Sequence, residues 1–202
     1  MTKATSPLAA RRKAAQEGWA NKIGADLYIT VGMGTCGLAA GAEDSLVAIE
    51  RELQARGLQA VIGRVGCVGM CSYEPMVELQ THGRPRVNYG QATAESIPEI
   101  FAAYLDGQPL QQAVIVGEAV PVTSGSDGRV LHSLSFVDAD SQEEIAFQQK
   151  QLRIVLSNCG LIDPESLDDY LALDGYVALD KALAMDPEAV IEEMTRSGLR
   201  GR

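Results

Sequence analysis

Long apolar runs are absent from this chain. No stretch approaches the roughly twenty consecutive apolar residues of a membrane-spanning helix, so none is expected. Arg11, Arg12 and Lys13 lie near the N-terminus, but no apolar core follows them, which argues against a signal peptide. Basic residues are in deficit: 17 Lys and Arg against 27 Asp and Glu leave a formal charge of −10. Phosphate backbones and anionic lipid surfaces repel such a chain, so neither nucleic acid nor a membrane is expected as a partner. Cysteine is too scarce for a disulfide scaffold. Four in 202 residues fit a reduced, cytoplasmic setting better. Histidine is scarcer still, with His82 and His132 isolated, and no Ser-His-Asp or Cys-His spacing supports nucleophilic catalysis.

What the chain does have is glycine placed beside cysteine. The run Gly66-Cys67-Val68-Gly69-Met70-Cys71-Ser72-Tyr73-Glu74-Pro75 carries two cysteines four positions apart. Apolar residues precede it (Val61, Ile62, Val65) and follow it (Met76, Val77, Leu79). A third cysteine, Cys36, sits in a matching loop, Gly32-Met33-Gly34-Thr35-Cys36-Gly37, after another apolar run. Thiolates from two loops at the ends of neighbouring strands can converge on one point, which is how thiolate-held iron–sulfur clusters are built. The glycines let the backbone come close to the sulfurs. The competing reading is a set of buried, reduced cysteines that act as small hydrophobes.

The surrounding pattern is that of an α/β layer. Pro7 to Lys22 reads as a surface helix, with Trp19 able to anchor it. Leu27, Ile29 and Val31 alternate with Tyr28 and Thr30, which predicts a strand. Leu46, Ile49 and Leu53 form one stripe of a helix from Glu43 to Arg56 that stops at Gly57. Gln59 to Val65 is a second strand, and Met76 to Gln80 with Arg86 to Tyr89 form a hairpin around Gly83. Ser96 to Leu105 is a helix whose Ile97, Phe101 and Tyr104 face the sheet. Val114 to Val116 can form a short strand, and Thr123 to Gly128 is a polar linker. Beyond it the pattern is helical. Ser141 and Glu144 make a capping box, and Ile145, Leu152, Val155 and Leu156 form an apolar face that ends at Cys159-Gly160. Asp163-Pro164 and Asp186-Pro187 each start a further helix, and Tyr176 to Ala184 lies between them. The expected division is residues 1–24 (arm and helix), 25–110 (the α/β domain), 111–140 (a linker that can carry short strands) and 141–202 (helices).

Residues Ala25 to Gly107 resemble the thioredoxin-like [2Fe-2S] ferredoxin family. That family carries Cys-x4-Cys in its first loop and Cys-x3-Cys in its second. Cys67 and Cys71 match the second pair. In the first loop Gly32 and Gly37 stand where the family has cysteines, and Cys36 is one position early. The resemblance implies a thioredoxin-like ferredoxin domain followed by a small helical segment. It also implies a [2Fe-2S] cluster with Cys36, Cys67 and Cys71 as metal ligands, three of the four expected cysteines. A cysteine at Gly32, alone or together with Cys36 moved to position 37, is expected to complete the set.

A second resemblance covers Gln149 to Arg202. Arg153-Ile154-Val155-Leu156-Ser157-Asn158-Cys159-Gly160, then Asp163-Pro164, then Ser197-Gly198-Leu199-Arg200-Gly201-Arg202 is similar to the start of the NADH-binding flavoprotein subunit of respiratory complex I. Related subunits occur in NAD-reducing and bifurcating hydrogenases and in formate dehydrogenases. Several of these carry a thioredoxin-like ferredoxin domain in front. In that family the glycine-rich run from Gly-Leu-Arg-Gly-Arg continues into a loop that holds the FMN phosphate. The resemblance thus implies cofactor-binding roles for Gly201 and Arg202, with FMN and NADH bound only by the fuller parent protein. The chain is expected to be an N-terminal fragment of such a subunit, without NADH oxidation of its own, and to join other subunits of a multi-subunit oxidoreductase. Cys159 has two readings, the missing fourth ligand or a buried structural thiol; the resemblance places it with the flavoprotein part, which favours the second. The alternatives are a cluster-free ferredoxin-like docking domain, or a thiol redox sensor of thioredoxin type.

Overall fold

The computed structural model describes residues 7–82, 84, 86–111, 113–123, 130–135 and 154–201. These form two compact units, residues 21–165 and residues 1–20 with 166–202. The first is an α/β unit, the class expected from the sequence. Its six-stranded sheet has the order β2-β1-β3-β4-β5-β6. The strands are β1 (Leu27–Gly32), β2 (Val61–Val65), β3 (Val77–Thr81), β4 (Arg86–Gly90), β5 (Val114–Thr123) and β6 (Val130–Ser135). β1 and β2 are parallel, and every other neighbouring pair is antiparallel.

One face of the sheet carries the apolar core. Leu27, Ile29 and Val31 of β1, Val77 and Leu79 of β3, and Val87 and Tyr89 of β4 are buried on it. Two helices cover that face, α3 (Ala42–Arg56) and α4 (Ile97–Asp106). Leu46, Ile49 and Leu53 of α3 and Ile97, Ile100, Phe101 and Tyr104 of α4 fill the space between the layers. Their spacing is the helical stripe seen in the sequence, and full burial of each large side chain is worth about 1.5–3 kcal/mol. The opposite face is polar yet also buried: Tyr28, Thr30, Glu78, Arg86 and Asn88 are all less than a tenth exposed.

Four features differ from the expectation. Cys36 lies not in a loop but on a short helix, α2 (Thr35–Ala39). β5 is ten residues long and pairs with β4 and β6, so the sheet runs on through part of the stretch read as a linker. Residues 124–128 of that linker, Gly83 at the hairpin turn and the capping box at Ser141 lie outside the described residues. Residues 155–161 form turns rather than a helical face, and Ile154, Val155 and Leu156 are exposed. Finally, the helix expected from Asp163 begins at Leu167.

The second unit contains the N-terminal part of α1 (Pro7–Ile23) and three helices, α5 (Leu167–Ala172), α6 (Val177–Leu183) and α7 (Pro187–Ser197). Ser166 caps α5, its hydroxyl oxygen accepting the Asp169 N–H at 3.1 Å. Asp163 instead accepts the Glu165 N–H, an Asx turn one step earlier. Ala15, Leu171 and Ala172 are buried together, with Trp19 against them. The Arg12 guanidinium donates to Asp180 at 3.1 Å and to the Gly175 carbonyl at 3.4 Å. The helix expected at the surface is therefore packed on the C-terminal helices.

Candidate metal centre

The parallel pairing of β1 and β2 brings the cysteines together. Gly32 and Val65 are register partners at the C-terminal ends of these strands, so the residues after them leave the sheet at the same edge. The Met33 N–H donates to the Val65 carbonyl at 2.8 Å and ties the two exits together. The Gly32 N–H donates to the Met76 carbonyl at 2.9 Å, which holds the segment before β3 at this edge too. Cys36 on α2, Cys67 in the loop after β2 and Cys71 at the start of a single 3-10 turn (Cys71–Tyr73) gather there.

The Cys67 and Cys71 sulfurs are 3.9 Å apart. Two sulfurs on one tetrahedral metal with bonds of about 2.3 Å lie about 3.8 Å apart, close to the separation of this pair. Tetrahedral thiolate sites take zinc or iron–sulfur. The neighbouring Cys36 thiol raises the Cys71 pKa above the ordinary thiol value. Burial raises that of Cys67, with the Gly69 N–H opposing. That N–H donates to Cys67 Sγ at 3.2 Å, in a loop where Gly69 has φ 89°, left-handed backbone that a side chain would strain. Among the described residues no three His, Cys, Asp or Glu side chains close around a single ion. A two-iron cluster differs in spreading its ligands over two metals.

Glu74 stands beside the thiols. Its carboxylate accepts the Met76 N–H at 2.8 Å, and burial raises its pKa. It also occupies the space in front of two glycines. A Cβ at Gly32 would lie 3.1 Å from Glu74 Oε2, and one at Gly37 would lie 3.1 Å from the same oxygen and 2.1 Å from the Gly32 carbonyl oxygen. The expectation that position 37 could take a cysteine is thus overturned, because the backbone of β1 already fills that space. Position 32 is tight, and a side chain there needs Glu74 to move.

Behind Glu74 lies a cavity of about 20 Å³, the room one water needs, lined by Thr30, Glu74, Glu78, Asn88 and Gly160 among others. Glu78 is fully buried. It accepts from Arg86 Nε at 2.6 Å and Asn88 Nδ2 at 2.7 Å, and Arg86 Nη2 also donates to it. Burial raises the Glu78 pKa, and the guanidinium and amide counter that shift. A buried ion pair survives only when its hydrogen bonds are satisfied, as here.

Of the other residues singled out in the sequence, Gly201 is exposed and Arg202 lies outside the described residues. His82 is exposed near the end of β3. Cys159 is half-buried and in no disulfide. Glu74 and Glu78 were missed. The signal for Glu78 was present, since a carboxylate between Val77 and Leu79 in a strand with both faces covered must find a buried partner. Glu74 gave no such signal, because its burial comes from glycines distant in sequence.

A mixed α/β sheet with three thiols at one edge defines the class of site. No family model matches the chain. It is similar to two proteins of Solidesulfovibrio fructosivorans. One is NADP-reducing hydrogenase subunit HndC, 60% identical over 55 residues, which are 27% of this chain and 11% of that protein. The other is NADP-reducing hydrogenase subunit HndB, 29% identical over 107 residues, 52% of this chain and 79% of that protein. The chain thus spans only about a tenth of the length of HndC. Among solved structures, a thioredoxin-like [2Fe-2S] ferredoxin from Aquifex aeolicus matches with 20% identity and a TM-score of 0.39, over 47% of this chain and 94% of that one. Among the described residues no helix is long and apolar enough to cross a membrane.

Proposed function

We propose that this chain is an electron-transfer module of a multi-subunit oxidoreductase, with Cys36, Cys67 and Cys71 as ligands of a [2Fe-2S] cluster. The observation that carries the reading is the 3.9 Å spacing of Cys67 and Cys71, at the strand edge where the helix bearing Cys36 begins. The similarity to hydrogenase subunits supports the same reading. When bound, the cluster supplies one-electron transfer. The residues of the chain do the rest. The Gly69 N–H stabilises charge on the Cys67 sulfur, and Glu74 adds negative charge that disfavours a further electron nearby. The partners are other subunits of such a complex, and FMN and NADH belong to the fuller flavoprotein, with Gly201 and Arg202 at the start of its phosphate loop.

A second reading is a cluster-free docking domain, favoured by the Glu74 carboxylate in front of Gly32, where the ferredoxin family has a cysteine. Electron paramagnetic resonance of the anaerobically reconstituted, dithionite-reduced chain separates the two. The first reading predicts a one-electron signal that is lost in C67S and C71S. Absence of any signal from the wild type favours the second.

A further inference from the structure

Cys67 and Cys71 share one loop, with their sulfurs 3.9 Å apart and neither in a disulfide. A disulfide holds its sulfurs about 2 Å apart, so closure asks for an approach of about 2 Å. The loop allows that approach from one side. Met70 is buried and its carbonyl accepts the Tyr73 N–H at 3.0 Å, which fixes the Cys71 end. Gly66 and Gly69 flank the Cys67 end, and a Cβ at either would meet nothing within 4 Å. Cys67 is therefore the partner that moves, giving up the Gly69 N–H that donates to its sulfur at 3.2 Å.

Cys36 neighbours Cys71 but is held more firmly. It lies on α2, where its carbonyl accepts the Ala40 N–H at 3.0 Å. The next residue, Gly37, is pressed on the Gly32 carbonyl of β1. A helix pinned to the sheet cannot follow the loop as it closes.

We propose that Cys67 and Cys71 are a reversible disulfide site, oxidised by small-molecule disulfides, with Cys36 left as a free thiol. Cys71 is exposed and Cys67 half-buried, so Cys71 meets the oxidant first. Its thiolate attacks one sulfur of the small disulfide, forms a mixed disulfide and expels one thiolate. The Cys67 thiolate then attacks Cys71 Sγ and expels the second. Two electrons pass from the protein to the oxidant, and the two cysteine protons end on the two thiols released. The second step is intramolecular between sulfurs the fold has already brought together, so it outruns attack by a second oxidant molecule. Burial raises the Cys67 pKa and the Cys36 thiol raises that of Cys71, so few of these thiols are ionised at neutral pH. The pair thus follows the redox poise slowly and is not a fast exchanger. Bridged sulfurs are no longer free thiolates, so oxidation withdraws two of the three proposed cluster ligands. That consequence rests on the cluster reading above; the bridge itself does not.

The test uses the full 202-residue chain, stripped of metal with a chelator and freshly reduced. It is equilibrated without oxygen in glutathione buffers of rising oxidised fraction and quenched in acid. Free thiols are alkylated with iodoacetamide and mapped by mass spectrometry after trypsin. The expected result is loss of two of the four free thiols. The peptide from Val65 to Arg86 should be lighter by two hydrogens and unalkylated, with Cys36 and Cys159 alkylated and the change reversed by dithiothreitol. C36S should oxidise at the wild-type glutathione ratio within about twofold, and C67S should stop at a glutathione adduct on Cys71. If a variant fails to fold, the wild-type map decides. Cys67 and Cys71 reduced at every ratio, a wild type that stops at the glutathione adduct, or Cys36 bridged to Cys71 as the main product overturns the proposal. Ferrous iron and sulfide are then offered to both forms. The oxidised chain should take up no iron until it is reduced, and equal uptake by the two forms overturns the consequence for the cluster. A reduced chain that takes up no iron overturns the cluster reading, while the disulfide map still decides the proposal.

Discussion

Glu74 is a buried carboxylate whose charge acts on the Cys67 and Cys71 thiols, and that burial makes stability depend on pH. Burial raises its pKa. Between the unfolded value, about 4.3, and the raised folded one, the folded chain keeps a proton that the unfolded chain has lost. Its contribution is therefore full below the unfolded pKa and is lost as pH rises through the folded pKa. Glu74→Gln removes the titration and leaves an oxygen to accept the Met76 N–H. The iron-free variant should melt above the wild type at neutral pH, with the gap closing on acidification. A gap that does not change between pH 4 and pH 7 contradicts this account. Gly37 supplies a second prediction at this scale. Gly37→Ala places a methyl against the Gly32 carbonyl and should cost about 1–3 kcal/mol in urea unfolding, where a free surface site would show almost nothing. The three cysteines were legible because each sits beside glycine after an apolar run. The closure of positions 32 and 37 was not, because Glu74 and the β1 carbonyl that fill the space are contacts made only by the fold.

At the scale of elements, periodicity served well wherever one face was apolar. β1, α3 and α4 follow their stripes, and Gly57 ends α3 as read. Of β5 only Val114 to Val116 was read as a strand; its later part holds Pro121, which argues against a central strand, and there β5 pairs with β6 alone. α5 was read three positions early because Asp163-Pro164 is a strong start signal, yet the Ser166 hydroxyl makes the cap. Ser166→Ala should therefore cost about 1 kcal/mol of stability, and Asp163→Ala distinctly less. The pairing of β3 and β4 offers a sharper test. Glu78→Ala leaves the Arg86 guanidinium buried without its carboxylate and should cost about 3–5 kcal/mol. Replacing both by Met should recover most of that loss, since an apolar pair carries no desolvation penalty. If the double variant is as unstable as the single one, the charge pairing is not what holds this part of the sheet.

At the scale of the molecule, the chain builds two compact units, one with the sheet and one with α1 and the C-terminal helices. The sequence showed where helices follow strands. It did not show that α1 packs with α5, because Ala15, Leu171 and Ala172 are small or isolated apolar positions far apart in the chain. A formal charge of −10 suits a module that meets basic protein surfaces rather than nucleic acid. All of this is compatible with a docking domain as well as with an electron carrier, and the difference lies in what the thiols hold. The most direct measurement is metal and sulfide analysis of the chain purified without oxygen. The account predicts about two iron and two acid-labile sulfide per chain, with visible absorption that bleaches on reduction. Zinc in place of iron, or thiols that all titrate freely with no metal present, would contradict it.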